Sequence, residues 1–387
     1  MRVRPLAQTP QARRSPALEG VLRAQLANCP FDKLALAWRT VVETYGDMGR
    51  AALGRADRYY LLTVLLHRPD AVHPWLYERC REVEAAKDGY LDLWAREHYK
   101  STIITFAGVI QEIVNDPEIT IGIFSHTKPT ARKFFNQIKL ELESNTDLQR
   151  LYPDVFYTAP AKESPRWSEE KGIVVRRTSN PKEATVEAHG LVDGMPTGAH
   201  FALRVYDDVV TLESVTTPEQ VKKTTEAFDL SDNLGARGAD GTKRAWIVGT
   251  RYKFGDTYQE LIDRKAFKVR IHAATEDGTA KGKPVFLSEK ALAEIRLRQV
   301  GAIFAAQQLL NPAAGTEAMF QQKWLKFTDI RPATLTVYIM CDPASSRKKG
   351  RDNTAIYVVG IDATRNKYLL DGYSHKMGLS ERWQKLR

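Results

Sequence analysis

Cysteine is scarce in this chain, with three residues, Cys29, Cys80 and Cys341, among 387. They lie far apart and show no Cys-x-x-Cys spacing, which argues against a disulfide framework and a zinc ribbon. The eight histidines form no His-Glu-x-x-His pattern, so a zinc hydrolase of that type is not expected. No stretch approaches the roughly 18 uninterrupted apolar residues of a membrane-spanning helix, and no apolar signal-peptide core follows the first residues. Acidic residues are missing before Glu19, where Arg2, Arg4, Arg13 and Arg14 alternate with Pro5, Pro10 and Pro16. That stretch reads as a solvated arm, with electrostatic contact to DNA or a partner as the functional alternative. Taken together, these absences read as an intracellular protein with no membrane partner.

What is present fits a globular fold with a real core. Hydrophobic residues make up 43% and charged residues 27%. The length favours two domains over one. The net charge of +10 favours an anionic partner, nucleic acid first, over a protein that is basic without consequence.

Residues 17–81 read as helical, punctuated by Pro69 and Pro74. A regular alternation follows. Strand-like segments at 90–94, 119–124, 172–175, 184–186, 201–206 and 244–248 are separated by helical runs such as 100–114 and 131–142. Thr217-Pro218-Glu219-Gln220 has the form of a capping box, and Asp256-Thr257-Tyr258-Gln259 opens a helix in the same way. This alternation predicts an α/β domain built on a parallel sheet covered on both faces. Asn311-Pro312-Ala313-Ala314-Gly315 then breaks the pattern, and Phe320, Trp324 and Phe327 are candidates to clip a connector onto a neighbour. Strand-like segments at 335–340, 354–359 and 367–370 predict an antiparallel meander that starts a second domain. The expected boundaries are an N-terminal arm and helical lead-in at 1–56, a main domain at 57–309, a connector at 310–331 and the second domain at 332–387.

Three segments carry chemistry. Arg96-Glu97-His98-Tyr99-Lys100-Ser101-Thr102 sits between a strand and a helix, where helix-start N–H groups favour a polyanion. Lys100 is placed to reach β- and γ-phosphates, and the Ser101 hydroxyl to meet Mg²⁺. The match to Gly-x₄-Gly-Lys-Ser/Thr is incomplete, because Trp94 and Tyr99 stand where the glycines belong, and a capped surface helix is the plain alternative. The second segment, Phe201 to Asp208, is an apolar strand that delivers Asp207 and Asp208 to its C-terminal end, as a Walker B strand does. Asp207 suits a magnesium contact and Asp208 a general base, against the alternative of a solvated turn. The third, Ile247 to Tyr252, ends a strand with Gly249 and Thr250, a candidate coupling pair or an ordinary turn. Their order along the chain, each at a strand end with helices between, makes coincidence in all three less credible than in any one.

On these segments the chain, from about residue 57 onward, resembles the large terminase subunits of tailed phages. Terminase phosphate loops often lack the usual glycines and carry an early arginine, as Arg96 does here. Trp167, Ile173 to Arg177 and Ala188-His189-Gly190-Leu191 also resemble the family's stretch before Walker B. The resemblance implies a P-loop NTPase of the ASCE type followed by a partial RNase H-like domain. It implies ATP and Mg²⁺ as cofactors and double-stranded DNA as substrate. A portal protein and a small terminase subunit become partners, and a homo-oligomeric ring in the bacterial host cytoplasm the working state. Asp342, closing Val337 to Met340 and Cys341, becomes the first ligand of a two-metal nuclease site. The remaining ligands are expected beyond Arg387, so nuclease activity is not expected of these residues. Asp352 and Asp371 read as loop and strand-end acids. Many relatives carry a trans-acting arginine ahead of Walker B. Pro196-Thr197-Gly198 stands there, so no arginine finger is assigned, and Arg176, Arg177, Arg204 and Arg251 remain minor candidates. The basic run Arg347 to Arg351 is a candidate DNA contact or a solvated loop. Two rivals stay open: another nucleic-acid-stimulated ATPase such as a helicase, and a non-catalytic DNA-binding or capsid-assembly protein.

Overall fold

The structure is a computed structural model that describes residues 14–312, 326–328, 332–343, 354–375 and 377–386. The run 347–351, Asp352, Phe320, Trp324 and most of the expected connector lie outside the described residues. The chain forms two compact units, Met1–Thr316 and Glu317–Arg387.

Eight strands build the sheet of the first unit: β1 Tyr90–Trp94, β2 Ile121–Thr127, β3 Trp167–Ser168, β4 Gly172–Ile173, β5 Val186–Asp193, β6 Leu203–Asp207, β7 Arg244–Gly249 and β8 Lys268–His272. Their spatial order is β3-β4-β5-β2-β6-β7-β1-β8. The six from β5 to β8 are parallel, and the short β3 and β4 add an antiparallel edge. All five residues of β6 are buried, as expected of a strand covered on both sides. The strands that lead to Lys100 and Asp207 are not neighbours. Strand β7 lies between β1, which leads into Lys100, and β6, which ends in Asp207.

Side chains alternate between the two faces because the strand repeat is two residues. On one face Val205, Trp246 and Val248 share a core with Ile103 and Ile110 of the helical run after Lys100. The helices Pro16–Leu26 and Phe31–Ala56 contribute Leu22, Leu26, Leu34 and Leu53 to that same core. The segment before residue 57 therefore packs as part of this unit. On the other face Leu91, Leu93, Tyr206 and Ile247 pack against Phe228 and Tyr258, from helices Pro218–Ser231 and Thr257–Asp263. The Thr217 hydroxyl accepts from the Gln220 N–H at 3.3 Å. The reciprocal half of that capping box is not made, since Gln220 Oε1 is buried without a hydrogen-bond partner.

One buried ion pair fixes the register of the strand that carries the phosphate-loop candidate. Asp92 and Arg270 are direct partners across β1 and β8. The guanidinium donates to both carboxylate oxygens at 2.8 Å, and both residues are buried. Burial pushes the Asp92 carboxyl up, and Arg270 opposes that shift.

The second unit contains β9 Thr336–Asp342, β10 Thr354–Ile361 and β11 Lys367–His375, an antiparallel sheet in the order β11-β10-β9, followed by helix Leu379–Leu386. Asp342 pairs with Ala355 at one end of β9. Asp371 pairs with Val358, an odd number of residues from Ala355, which places the two acids on opposite faces.

Replacing Arg270 with Ala leaves a buried carboxylate without its cation, and loss of about 3–5 kcal/mol of stability is expected. Urea denaturation of Arg270→Ala, and of the Asp92→Leu/Arg270→Met pair, checks this. The pair should recover most of the loss.

Candidate active site

The residues after β1 turn sharply before helical structure starts at Lys100. Glu97 and Tyr99 have φ of 64° and 62°, a left-handed conformation that costs a non-glycine residue roughly 1–2 kcal/mol. Tyr99 stands at the second glycine position of the phosphate-loop pattern and takes a glycine-like conformation there. Neighbours hold the turn in place. The Tyr99 hydroxyl donates to Asp70, Arg68 lies 5.7 Å from its ring, and Phe286 packs 5.5 Å away. His98 is buried against Trp75 and Phe286. Burial lowers its pKa to about 4. The ring is therefore neutral at pH 7, and Nδ1–H donates to the Arg96 carbonyl at 2.7 Å. The Ala95 and Arg96 amides bond to His272 O and Gln307 O at 2.9 and 3.0 Å. Tyr59 and Tyr60 are core. Trp75 packs against Trp94, His98 and Phe286.

After Lys100 and Ser101 the helix widens into a π-helical stretch, Thr102–Ala107, before continuing as Gly108–Asn115. Ser101 and Thr105 both face the end of β6. Ser101 Oγ donates to Asp207 Oδ1 at 3.0 Å, and Thr105 Oγ1 donates to Asp207 Oδ2. Asp207 is fully buried. Burial, then the neighbouring Asp208 charge, raises its pKa to about 7, while Lys100 and the two hydroxyls oppose the shift. Asp208 has φ of 50°. Its N–H donates to Val248 O on β7 at 3.1 Å, and its carbonyl accepts from His126 N–H on β2 at 3.4 Å. Its carboxylate lies 3.3 Å from Lys100 Nζ and 3.9 Å from Arg96 Nη1. Lys100, Ser101, Asp207, Asp208 and Arg96 thus come together at the C-terminal tips of β1 and β6.

Thr250 lies between them, just past β7. It is buried, and its hydroxyl donates to Trp94 O at 2.9 Å, joining the end of β7 to the end of β1. Gly249 has a packing reason to be glycine, since a Cβ there would fall 2.2 Å from Tyr258 Oη. The minor arginine candidates are all engaged within the chain. Arg204 pairs with Asp232, Arg251 with Asp256, and Arg176 with Glu163, while Arg177 donates to Pro181 O and Glu183 O.

The donor set suits a hard divalent cation. A serine hydroxyl and a buried carboxylate lie side by side, and the neighbouring Asp208 Oδ1 is buried with the Lys100 ammonium 3.3 Å away as its ion-pair partner. Oxygen ligands of this kind, completed by phosphate and water, are what Mg²⁺ takes. Among the described residues no group of three or more His, Cys, Asp or Glu forms a metal cluster. No helix among the described residues is long and apolar enough to cross a membrane.

Two contributors went unread in the sequence. Thr105 lies four residues after Ser101, one helical turn along, and that spacing was the available signal. Tyr252 accepts a hydrogen bond from Arg96 Nη2, and nothing in its sequence context announces it.

Solved structures similar to this chain are those of the large terminase from a thermophilic bacteriophage. Its ADP complex has a TM-score of 0.34 and 14% identity, covering 77% of this chain and 67% of that one. Its complex with ATP-gamma-S has a TM-score of 0.35 at 14% identity, covering 78% and 68%. No family model matches the chain, and no curated protein matches it. Likeness this distant assigns no role, so the site stands on its own geometry.

Asp207 titrates in the folded chain at about 7, above its ordinary value. The folded form therefore holds the proton more tightly, and stability is lost as pH rises from about 4 to 7. Buried, neutral His98 works in the opposite sense, so a difference measurement is needed to isolate Asp207. Asp207→Asn is expected to be more stable than the unaltered chain at pH 8 and to lose that advantage towards pH 4. Denaturation midpoints across that range check it, and an unchanging difference would contradict the assignment.

Proposed function

We propose that this chain hydrolyses ATP at the tips of β1, β7 and β6 and couples hydrolysis to movement of double-stranded DNA. One observation carries the catalytic part. Lys100 and Ser101, from a helix mouth after one strand, meet Asp208 and Asp207 at the tip of another at 3.3 and 3.0 Å. A surface capping motif would have no reason to engage a fully buried Asp207 and its neighbouring acid.

The residues divide the work as follows. The N–H groups at the start of the helix and the Lys100 ammonium bind the β- and γ-phosphates, with residues 96–102 forming the cradle. Ser101 and Asp207 would hold Mg²⁺, which supplies charge neutralisation on the phosphoryl group when bound. Exchanging its proton for a cation, with the proton released to water, would suit Asp207, whose carboxyl is otherwise pushed up by burial. Lys100 faces Asp208 in the structure. When phosphate draws Lys100 away, Asp208 Oδ1, which has no other donor, becomes free to accept a proton from the attacking water. Arg96 adds positive charge beside the transferred group. Thr250, bonded to the end of β1, is placed to pass a change at the γ-phosphate into the loop and helix after β7.

The DNA-translocating part of the proposal is supported by the +10 charge and by the motif resemblance described above. Contact would be to the phosphate backbone and therefore salt-sensitive. The portal, the small subunit, the ring and a nuclease role for Asp342 rest on the same resemblance.

Lys100→Ala is expected to lower DNA-stimulated ATP hydrolysis by roughly 100-fold or more, the scale of losing one charged donor to the transferred phosphoryl group. Asp208→Asn should lower kcat by about 10²–10⁴, the usual range for a positioned base, with a smaller change in KM. Steady-state hydrolysis with and without duplex DNA measures both. Unchanged hydrolysis in Lys100→Ala would defeat the site. Failure of the unaltered chain to hydrolyse ATP would favour a non-catalytic DNA-binding protein.

A further inference from the structure

Arg96 has its backbone fixed and its side chain half-exposed. The amide donates to Gln307 O and the carbonyl accepts from His98, so movement is left to the guanidinium. Among the described residues that group has two polar partners. Nη1 lies 3.9 Å from Asp208 Oδ2, and Nη2 donates to the Tyr252 hydroxyl. The guanidinium carbon also lies 5.6 Å from the centre of the Tyr252 ring. A long side chain with many rotamers is thus held on one flank by a single phenol.

The phenol belongs to a hydrogen-bonded segment. Thr250 is tied to Trp94 O at 2.9 Å. Arg251 Nε bonds to Asp256 at 3.1 Å, and its Nη2 donates to Gln259 Oε1 at 2.9 Å. Asp256, with no exposed surface, also caps helix Thr257–Asp263 through the Gln259 N–H at 2.9 Å. Arg251 and Asp256 are therefore tied to each other and to that helix by side-chain hydrogen bonds, and Thr250 to the end of β1. The Tyr252 hydroxyl is the point where this segment grips the phosphate loop's arginine.

We propose that Tyr252 is a positioning residue for Arg96, aiming its guanidinium at the γ-phosphate and linking that aim to the position of helix Thr257–Asp263. The inference rests on the ATP-hydrolysing reading of the site. It assigns Tyr252 no direct contact with nucleotide. Loss of its hydroxyl should therefore act through Arg96 alone, and on the rate of the chemical step more than on nucleotide affinity.

The test is a double-mutant cycle on the full chain with Mg²⁺ and ATP, using Tyr252→Phe, Arg96→Ala, Arg96→Lys and their combinations. Tyr252→Phe keeps the ring and its packing. It should lower kcat about tenfold, the scale of one hydrogen bond to a charged group, with KM changed less than about twofold. In the Arg96→Ala background it should have no further effect. Arg96→Lys keeps the charge but loses the planar fork, and should not restore kcat. An unchanged kcat in Tyr252→Phe, or a full tenfold loss persisting without Arg96, overturns the inference. Lys100→Ala separates the levels. If it is inactive while Tyr252→Phe and Arg96→Ala act independently, only the Tyr252 role falls. If it hydrolyses ATP normally, the underlying site falls too. Tm shifts of the same variants provide a readout free of hydrolysis. They should be non-additive, and additive shifts would deny the contact itself.

Discussion

A fully buried aspartate held by two hydroxyls is the constraint on which the site depends. Asp207 ends β6 with no exposed surface, and Ser101 and Thr105 satisfy one oxygen each. An unpaired carboxylate in such a place would cost several kcal/mol, so the helix that starts at Lys100 cannot slide or rotate without exposing that cost. The π-helical stretch Thr102–Ala107 fits this demand, because widening the turn lets two hydroxyls face one carboxylate. Irregular turns of this sort recur at functional sites. Once the helix is fixed, Lys100 at its mouth is fixed as well, and Asp208, next along the chain from Asp207, meets it.

The loop that reaches this helix is built without glycine and is strained. Glu97 and Tyr99, on either side of His98, both hold left-handed φ, a cost of a few kcal/mol in total. The offset comes from aromatic packing. Phe286 contacts Tyr99, His98 and Trp75 together. A glycine loop would accept these dihedrals freely but would also sample others. Here the Tyr99 side chain adds to the strain and also helps to lock the turn through Asp70 and Phe286, so the turn is preorganised at the expense of local backbone energy.

The sequence made the parallel sheet, its strand ends and the acid pair legible for one reason: apolar strands buried on both faces stand out, and the chemistry sits where they stop. Elements with mixed polarity were harder to read. Strand β5 runs from Val186 to Asp193, yet only its first residue was anticipated, because Glu187, His189 and Gly190 break the apolar pattern. Glu187 and His189 answer each other within the strand at 3.1 Å, a pairing that no periodicity signals. Strand β8, Lys-Val-Arg-Ile-His, hides for the same reason, since its Arg270 is buried only because Asp92 lies opposite. The order of strands was also beyond reach. That β7 separates β1 from β6 follows from crossover topology, which residues within one strand do not encode. Tyr252 is the extreme case, visible only once two loops are brought together.

The second acid of the pair is aspartate, not glutamate, and the backbone offers a reason. Asp208 sits at φ of 50°, with its amide held by β7 and its carbonyl by β2. Its neighbours therefore fix the left-handed turn before any side chain is chosen. Aspartate enters that region more readily than longer side chains, because its short polar group can bond locally. A glutamate would have to bear the same dihedral without that tolerance. It would also carry an extra methylene into a space where the aspartate carboxylate already lies 3.3 Å from Lys100. The shorter acid is thus the one that suits this strand end and faces the lysine.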